Sequence, residues 1–265
     1  MYDFNYHRPA SLKDAKKILA GASDAKIVAG GMTLLPAMKF RLARPSDLID
    51  LSELTELRGI RDAGDKMEVG AMTRHAEVAG SDVVRSRIPA LAALAMGIGD
   101  PQVRNRGTLG GSVANSDPAA DYPAAVLALD AVIRTDKREI PADRFFTGMF
   151  ETALTTDEIL TSVVFARPKR AAYAKFPNPA SRYAVVGVMV AEFATGTRVA
   201  VTGAGPRAFR AAQLERALSA DFSAAALDGL HFEADDLNSD LHASAEYRAH
   251  LVGVMARRAV AAACA

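Results

Sequence analysis

From Ser11 to Ala20 (SLKDAKKILA) the apolar side chains Leu12, Ala15, Ile18 and Leu19 fall on one face at helical spacing, and Ser11 stands where an N-cap would, so the pattern predicts an amphipathic helix. Asp24 to Gly31 reads as a short buried strand ending in a glycine pair, and Thr33 then stands as the cap of a helix over Leu34 to Arg44. With DLIDL following, residues 2 to 51 read as a strand, helix, strand, helix, strand unit. Lys66 to Met72 predicts a strand, the segment after Thr73 (RHAEVAGS) a helix, and Ile88 to Ile98 (IPALAALAMGI) an alanine-rich helix. Pro123 suits the start of an apolar helix, AAVLALDA. Strand-like VIRT and its return through KREIPADRFF come next, then ETALTTDEILTSVVF as a helix or turn and a last strand.

The pattern breaks at Arg167, Pro168, Lys169 and Arg170, which predicts a first domain over 1–169 and a second over 170–265. Beyond the break come Tyr173 to Phe176, the turn PNPAS, a hairpin of AVVGVMVAEF and RVAVTG around ATGT, and helices over Ala208 to Leu218 and Ala243 to Ala263.

Composition narrows the chemistry. Half of the 265 residues are apolar, and 32 Lys and Arg balance 31 Asp and Glu, with no basic run to suit nucleic acid. No stretch reaches the length of a membrane span, and the N-terminus has no apolar signal core, which leads us to expect a cytoplasmic protein. The single cysteine, Cys264, excludes an internal disulfide or a cysteine-bound cluster. The five histidines are scattered, so no metal site is expected, and His75 reads as structural.

Two stretches carry candidate chemistry: AGGMTLLPAMK (29–39) and TLGGSVANSDPAADYP (108–123), each with a glycine pair beside hydroxyl residues. Glycine admits positive φ and lets a ligand touch bare backbone, and successive amides in such turns form anion-binding concavities. Either pair alone reads as an ordinary tight turn, whereas two in one chain suit a cofactor with two linked phosphates. Arg104 and Arg106, beside the second loop, read either as phosphate partners or as solvated side chains. Asp121 reads either as an acceptor for ribose or ribitol hydroxyls or as a helix cap. Gly203, Gly205 and Ala208 in RVAVTGAGPRAF have dinucleotide-fingerprint spacing, but Pro206 occupies the loop, the strand before it is an antiparallel partner, and no parallel strand with an acidic end follows.

Taken together, AGGMTLLPAMK, GDPQVRNRGTLGGSVANSDPAADYP, KFPNPASRYAVVGV and NSDLHASAEYRAHL, in this order, resemble the medium, FAD-carrying subunit of molybdenum hydroxylases, especially the aerobic carbon monoxide dehydrogenase branch, over nearly the whole chain. The resemblance implies an α+β protein: a PCMH-type FAD-binding domain of two α/β subdomains, followed by a small C-terminal domain with a three-stranded antiparallel sheet and helices. It places Ala29, Gly30, Gly31, Met32 and Thr33, and Thr108, Leu109, Gly110, Gly111 and Ser112, on the pyrophosphate of a non-covalent FAD. By the same match Asp121 binds an FAD hydroxyl, and Ile98 and Leu160 line the cofactor; Tyr183, in a segment expected near the ring, reads either as a shield for the flavin or as a packed hairpin tyrosine. Relatives such as xanthine dehydrogenase carry a lysine near the flavin where this chain has Pro177; the nearest lysine here is Lys175. That departure unsettles any role in reducing NAD, leaving a quinone or another carrier as acceptor.

The implied role is electron transfer. A large molybdopterin subunit would oxidise the substrate, a small subunit with two [2Fe–2S] clusters would carry the electrons, and this chain would pass them on, in a dimer of the three-chain unit. The other readings are a free-standing FAD-dependent reductase or oxidase on the same fold, for which the sequence offers no catalytic acid or base, and a non-catalytic binding module, which the paired loops argue against.

Overall fold

A computed structural model describes all residues, Met1–Ala265. Three main sheets and one two-stranded ladder make up the strands of the chain. The first is parallel, in the order β1 (Asn5–His7), β3 (Asp47–Asp50), β2 (Ala25–Val28), with α1 (Leu12–Gly21) and α2 (Leu34–Lys39) as its connections. Ser11 caps α1 by accepting the N–H of Asp14, and Ala15 and Leu19 bury the apolar stripe. The second helix stops at Lys39, short of the expected Arg44, and Arg41 follows in the left-handed region at φ 61°. Thr33 lies in helical backbone and makes no capping bond, so it does not fill its expected role.

The second sheet is antiparallel, in the order β4 (Ile60–Asp62), β5 (Lys66–Gly70), β10 (Leu160–Ala166), β6 (Val132–Thr135), β7 (Glu139–Pro141). Its long connection from β5 to β6 carries α3 (His75–Gly80), α4 (Asp82–Arg87), α5 (Pro89–Met96), α6 (Pro101–Arg106), α7 (Leu109–Asn115) and α8 (Tyr122–Ala128). The expected helix or turn before β10 is a small ladder of β8 (Phe146–Gly148) and β9 (Glu151–Thr152) followed by a turn. All seven residues of α8 are buried, as an apolar-all-round sequence requires.

The third sheet runs β11 (Arg170–Pro177), β12 (Ala184–Phe193), β13 (Gly196–Thr202), β14 (Phe209–Arg210), entirely antiparallel. Three long strands match the expected sheet; β14 is a two-residue edge where the sequence suggested the start of a helix. The helix α9 (Ala212–Ala220) begins only after it, and α10 (Ala245–Cys264) lies against β11 and β12. Strand β12 is buried on both faces: Met189 and Ala191 join the core beneath α8, while Val186, Val188 and Val190 join the core under α9 and α10. That double burial explains the unbroken apolar run AVVGVMVA, and it fastens the third sheet to the second through α8.

Candidate functional site

Between these units lies a cavity of about 570 Å³, the size class of small-molecule and cofactor sites. Ala29, Gly30, Gly31, Met32, Thr33, Ile98, Thr108, Gly110, Gly111, Ser112, Asp121, Leu160 and Tyr183 all line it. Leu109 does not: its side chain is fully buried in the core beneath the loop.

The two glycine loops differ in what they can offer. After β2, Gly31 turns the chain at φ 70°, and the N–H groups of Gly30, Gly31, Met32 and Thr33 have no acceptor in the protein. In the second loop most amides are spent: Leu109 N–H donates to Thr73 at 3.0 Å, Gly110 N–H to Ala71 at 2.9 Å, Gly111 N–H to the Thr108 hydroxyl at 3.2 Å and Ser112 N–H to the Thr108 carbonyl at 3.1 Å, while the N–H of Thr108 has no acceptor in the protein. The first loop therefore has the run of free amides that a backbone anion site requires, and the second offers hydroxyls and a tight surface. The glycines also act differently from expectation. A Cβ on Gly110 would meet Ala71 Cβ at 2.5 Å, and one on Gly30 would run into the backbone of Arg106 and Gly107. Both are needed for the loops to pack on neighbouring backbone.

Asp121 is only 5% exposed, and each of its oxygens already has a partner in the protein. Tyr173 donates its hydroxyl to Oδ1 at 2.5 Å, and Lys175 Nζ donates to Oδ2 at 3.1 Å. The same ammonium also reaches the carbonyls of Gly97 at 2.9 Å and Arg182 at 3.0 Å, so all three of its donors are used. Burial pushes the Asp121 carboxyl up, against the pull of Lys175 and Tyr173. Lys175 is not itself a lining residue; it holds the wall from behind through Asp121 and Arg182.

Arg104 does not line the cavity; it donates to the carbonyls of Ile98 at 2.9 Å and Gly99 at 3.0 Å and braces the turn after α5. Arg106 is exposed. His75 is buried in the cavity wall 5.3 Å from the Tyr122 ring, and its Nδ1 and the Tyr122 hydroxyl both lack a protein partner. Burial, aided by the charge of Arg104, lowers the imidazole to about 4. Glu158, also in the wall, is held down to about 2, chiefly by its bonds to Arg138.

Sequence reasoning missed Asp117, His75, Lys175, Arg182 and Glu158 as neighbours of the site. Asp117, Glu158 and Arg182 were within reach, since they stand four residues before Asp121, two before Leu160 and one before Tyr183, and Lys175 enters the sequence reading only as the nearest lysine; His75 comes from a distant stretch that only folding brings to the wall. Gly203 and Gly205 are absent from the wall, and Gly203 instead takes φ 81° at the end of β13.

Residues 2–168 match the family described as the FAD binding domain in molybdopterin dehydrogenase, and residues 171–263 match the CO dehydrogenase flavoprotein C-terminal domain. The chain belongs to the FAD-binding medium subunits of molybdenum hydroxylases. It is 37% identical to the carbon monoxide dehydrogenase medium chain of Hydrogenophaga pseudoflava, across 99% of this chain and 97% of that one. It is equally 37% identical to the nicotine 6-hydroxylase medium subunit of Paenarthrobacter nicotinovorans, across 96% and 95%. Reconstituted CO dehydrogenase from Oligotropha carboxidovorans superposes with a TM-score of 0.92 at 34% identity, covering 99% of this chain and 98% of that chain. The subunit's cofactor is FAD, and its relatives are subunits of multi-subunit oxidoreductases. The geometry fits the cofactor: unpaired loop amides for phosphate, apolar Ile98 and Leu160, and carboxylates for hydroxyls share one cavity.

Proposed function

We propose that this subunit carries electrons from the [2Fe–2S] clusters of a small partner subunit, through FAD, to an external acceptor, while a large molybdopterin subunit oxidises the substrate. The observation that carries the reading is the run of unpaired N–H groups from Gly30 to Thr33 opening onto the cavity, because four successive donors suit a pyrophosphate. FAD supplies the redox chemistry when bound, exchanging one or two electrons. The chain's own residues bind, orient and shield. In this reading the first loop takes the pyrophosphate, Thr108 and Ser112 add hydroxyls from the second, Ile98 and Leu160 hold apolar surface, and Tyr183 covers the ring. Asp121, fixed by Tyr173 and Lys175, takes a cofactor hydroxyl on its remaining lone pairs.

Several titratable groups of the wall are committed to structural partners or held in one state: Asp121 to Lys175, Glu158 to Arg138, and His75 neutral. That arrangement favours electron passage over acid–base chemistry on a substrate. We further place the boundary between the FAD domain and the C-terminal domain at Lys169 and Arg170, where β11 begins, and the complex in the cytoplasm as a dimer of three-chain units.

Purification from the native source with metal analysis and native mass measurement tests the proposal. It should yield iron, molybdenum and FAD in one particle with the mass of two heterotrimers. A flavoprotein that lacks both metals and still turns over substrate would establish the free-standing reductase or oxidase reading instead.

A further inference from the structure

Asp117 lines the cavity with half of its acceptor capacity unused. Its Oδ1 accepts the N–H of Ala119 at 2.9 Å, closing a local turn, while Oδ2 has no hydrogen-bond partner. No lysine or arginine offsets its charge, and burial pushes the carboxyl up.

The fold holds this carboxylate in place. Ser116 ends α7 in the left-handed region, at φ 48° and ψ 41°, a conformation that costs a non-glycine residue about 1 kcal/mol or more. The following peptides are fastened to the third sheet. The Pro118 carbonyl accepts from Gly203 N–H at 2.7 Å and the Thr202 hydroxyl at 2.9 Å, and the Ala119 carbonyl accepts from Ala184 N–H at 3.1 Å. The Ala120 carbonyl accepts from the Thr202 hydroxyl at 2.6 Å. Strain held by so many bonds positions a side chain, and here the side chain is an unpaired acceptor.

An ionised carboxylate only accepts hydrogen bonds, and without a cation it repels a pyrophosphate. It is favourable beside the donor-rich part of a dinucleotide. Asp121 has Tyr173 and Lys175 already on its oxygens, whereas Asp117 has a whole oxygen free. Asp117 and Tyr183 line the same cavity, near enough that the Asp117 charge helps raise the Tyr183 hydroxyl, so with Tyr183 over the flavin ring Asp117 stands toward the riboflavin half. We propose that Asp117 is a cofactor-binding residue whose free Oδ2 accepts a hydrogen bond from a ribityl hydroxyl or the imide N–H of the riboflavin half of FAD. The inference rests on the cavity being the FAD site with Tyr183 at its flavin end.

Asp117→Asn isolates the free oxygen, since the amide oxygen can still accept from Ala119 while the other position becomes a donor. Asp117→Ser, which keeps a shorter turn acceptor, serves if the first variant does not fold. The full-length protein, stripped of flavin, is titrated with FAD and with ADP, which carries the adenosine and pyrophosphate but no riboflavin. The expected result is an FAD affinity lowered about tenfold or more with ADP affinity and Tm unchanged. FAD binding within about twofold of wild type, or an equal loss for FAD and ADP, overturns the proposal. Wild-type protein that binds neither ligand refutes the cavity assignment itself, and the inference with it.

Discussion

His75 shows how one residue's surroundings decide its chemistry. A solvated imidazole titrates near 6.5, whereas burial and Arg104 hold this one near 4. Between those values the unfolded chain takes up a proton that the folded chain refuses. The group therefore takes nothing from stability above pH 6.5 and progressively lowers it as pH falls toward 4, to a limit of about 3 kcal/mol. Chemical denaturation at a series of pH values should show this loss in wild type and its removal in His75→Asn, relative to each protein at neutral pH. Parallel curves for the two proteins would mean that His75 titrates normally. At the same scale Asp117 and Asp121, four residues apart, differ because one oxygen pair has been given Tyr173 and Lys175 and the other has not.

At the scale of elements, the glycines separate loop-building from ligand-binding. Gly30 lets the turn after β2 press on the backbone between α6 and α7, so an added methyl must push those segments apart, at a cost of about 2 kcal/mol or more. Gly203 ends β13 at φ 81°, where a Cβ would also sit 2.5 Å from the Ala184 carbonyl oxygen. Both Gly30→Ala and Gly203→Ala should lower Tm by several degrees. Their effects on cofactor should diverge, with FAD retention reduced in the Gly30 variant and kept by folded Gly203 variant. Loss of FAD from folded Gly203→Ala protein would revive a nucleotide role for the GAG sequence after β13. The cap of α7 is a smaller contribution: Thr108 accepts from Gly111 N–H, which is worth about 1 kcal/mol.

Across the whole molecule, Lys175 is the clasp. It rises from β11 in the third sheet and joins the carbonyl after α5, the carboxylate before α8 and the carbonyl of Arg182 just before Tyr183. With side chains 11% and 5% exposed, the Lys175 and Asp121 pair is buried, and removing one partner strands the other. Lys175→Met should cost about 3–5 kcal/mol in denaturant titration, whereas the double variant Lys175→Met with Asp121→Leu should recover a large part of that loss. Full additivity of the two single variants would show that the charges act independently. The clasp also ties the cavity to the third sheet, so FAD affinity should fall in Lys175→Met protein under conditions where it remains folded.

Period and punctuation were enough to place most elements: α1 with its serine cap, the strand, helix, strand, helix, strand unit over 2–51, and β12 as one arm of a hairpin. These follow from local forces, namely burial of one face, capping and the backbone limits of proline and glycine, which are written in neighbouring residues. The two loops of the cavity wall were legible for the same reason, since both glycine pairs announce themselves. The ends of α2 and the short strand β14 were not, because a left-handed Arg41 and a two-residue edge pairing depend on what lies alongside them. Nor could spacing reveal that the amides of Leu109 and Gly110 are consumed by Thr73 and Ala71, that Leu109 points into the core, or that Lys175 reaches Asp121 across 54 residues. Charge compensation and amide pairing are properties of distance in space. The sequence by itself determined which residues could bind a dinucleotide, and only the tertiary structure decided which of their donors and acceptors remained free to do so.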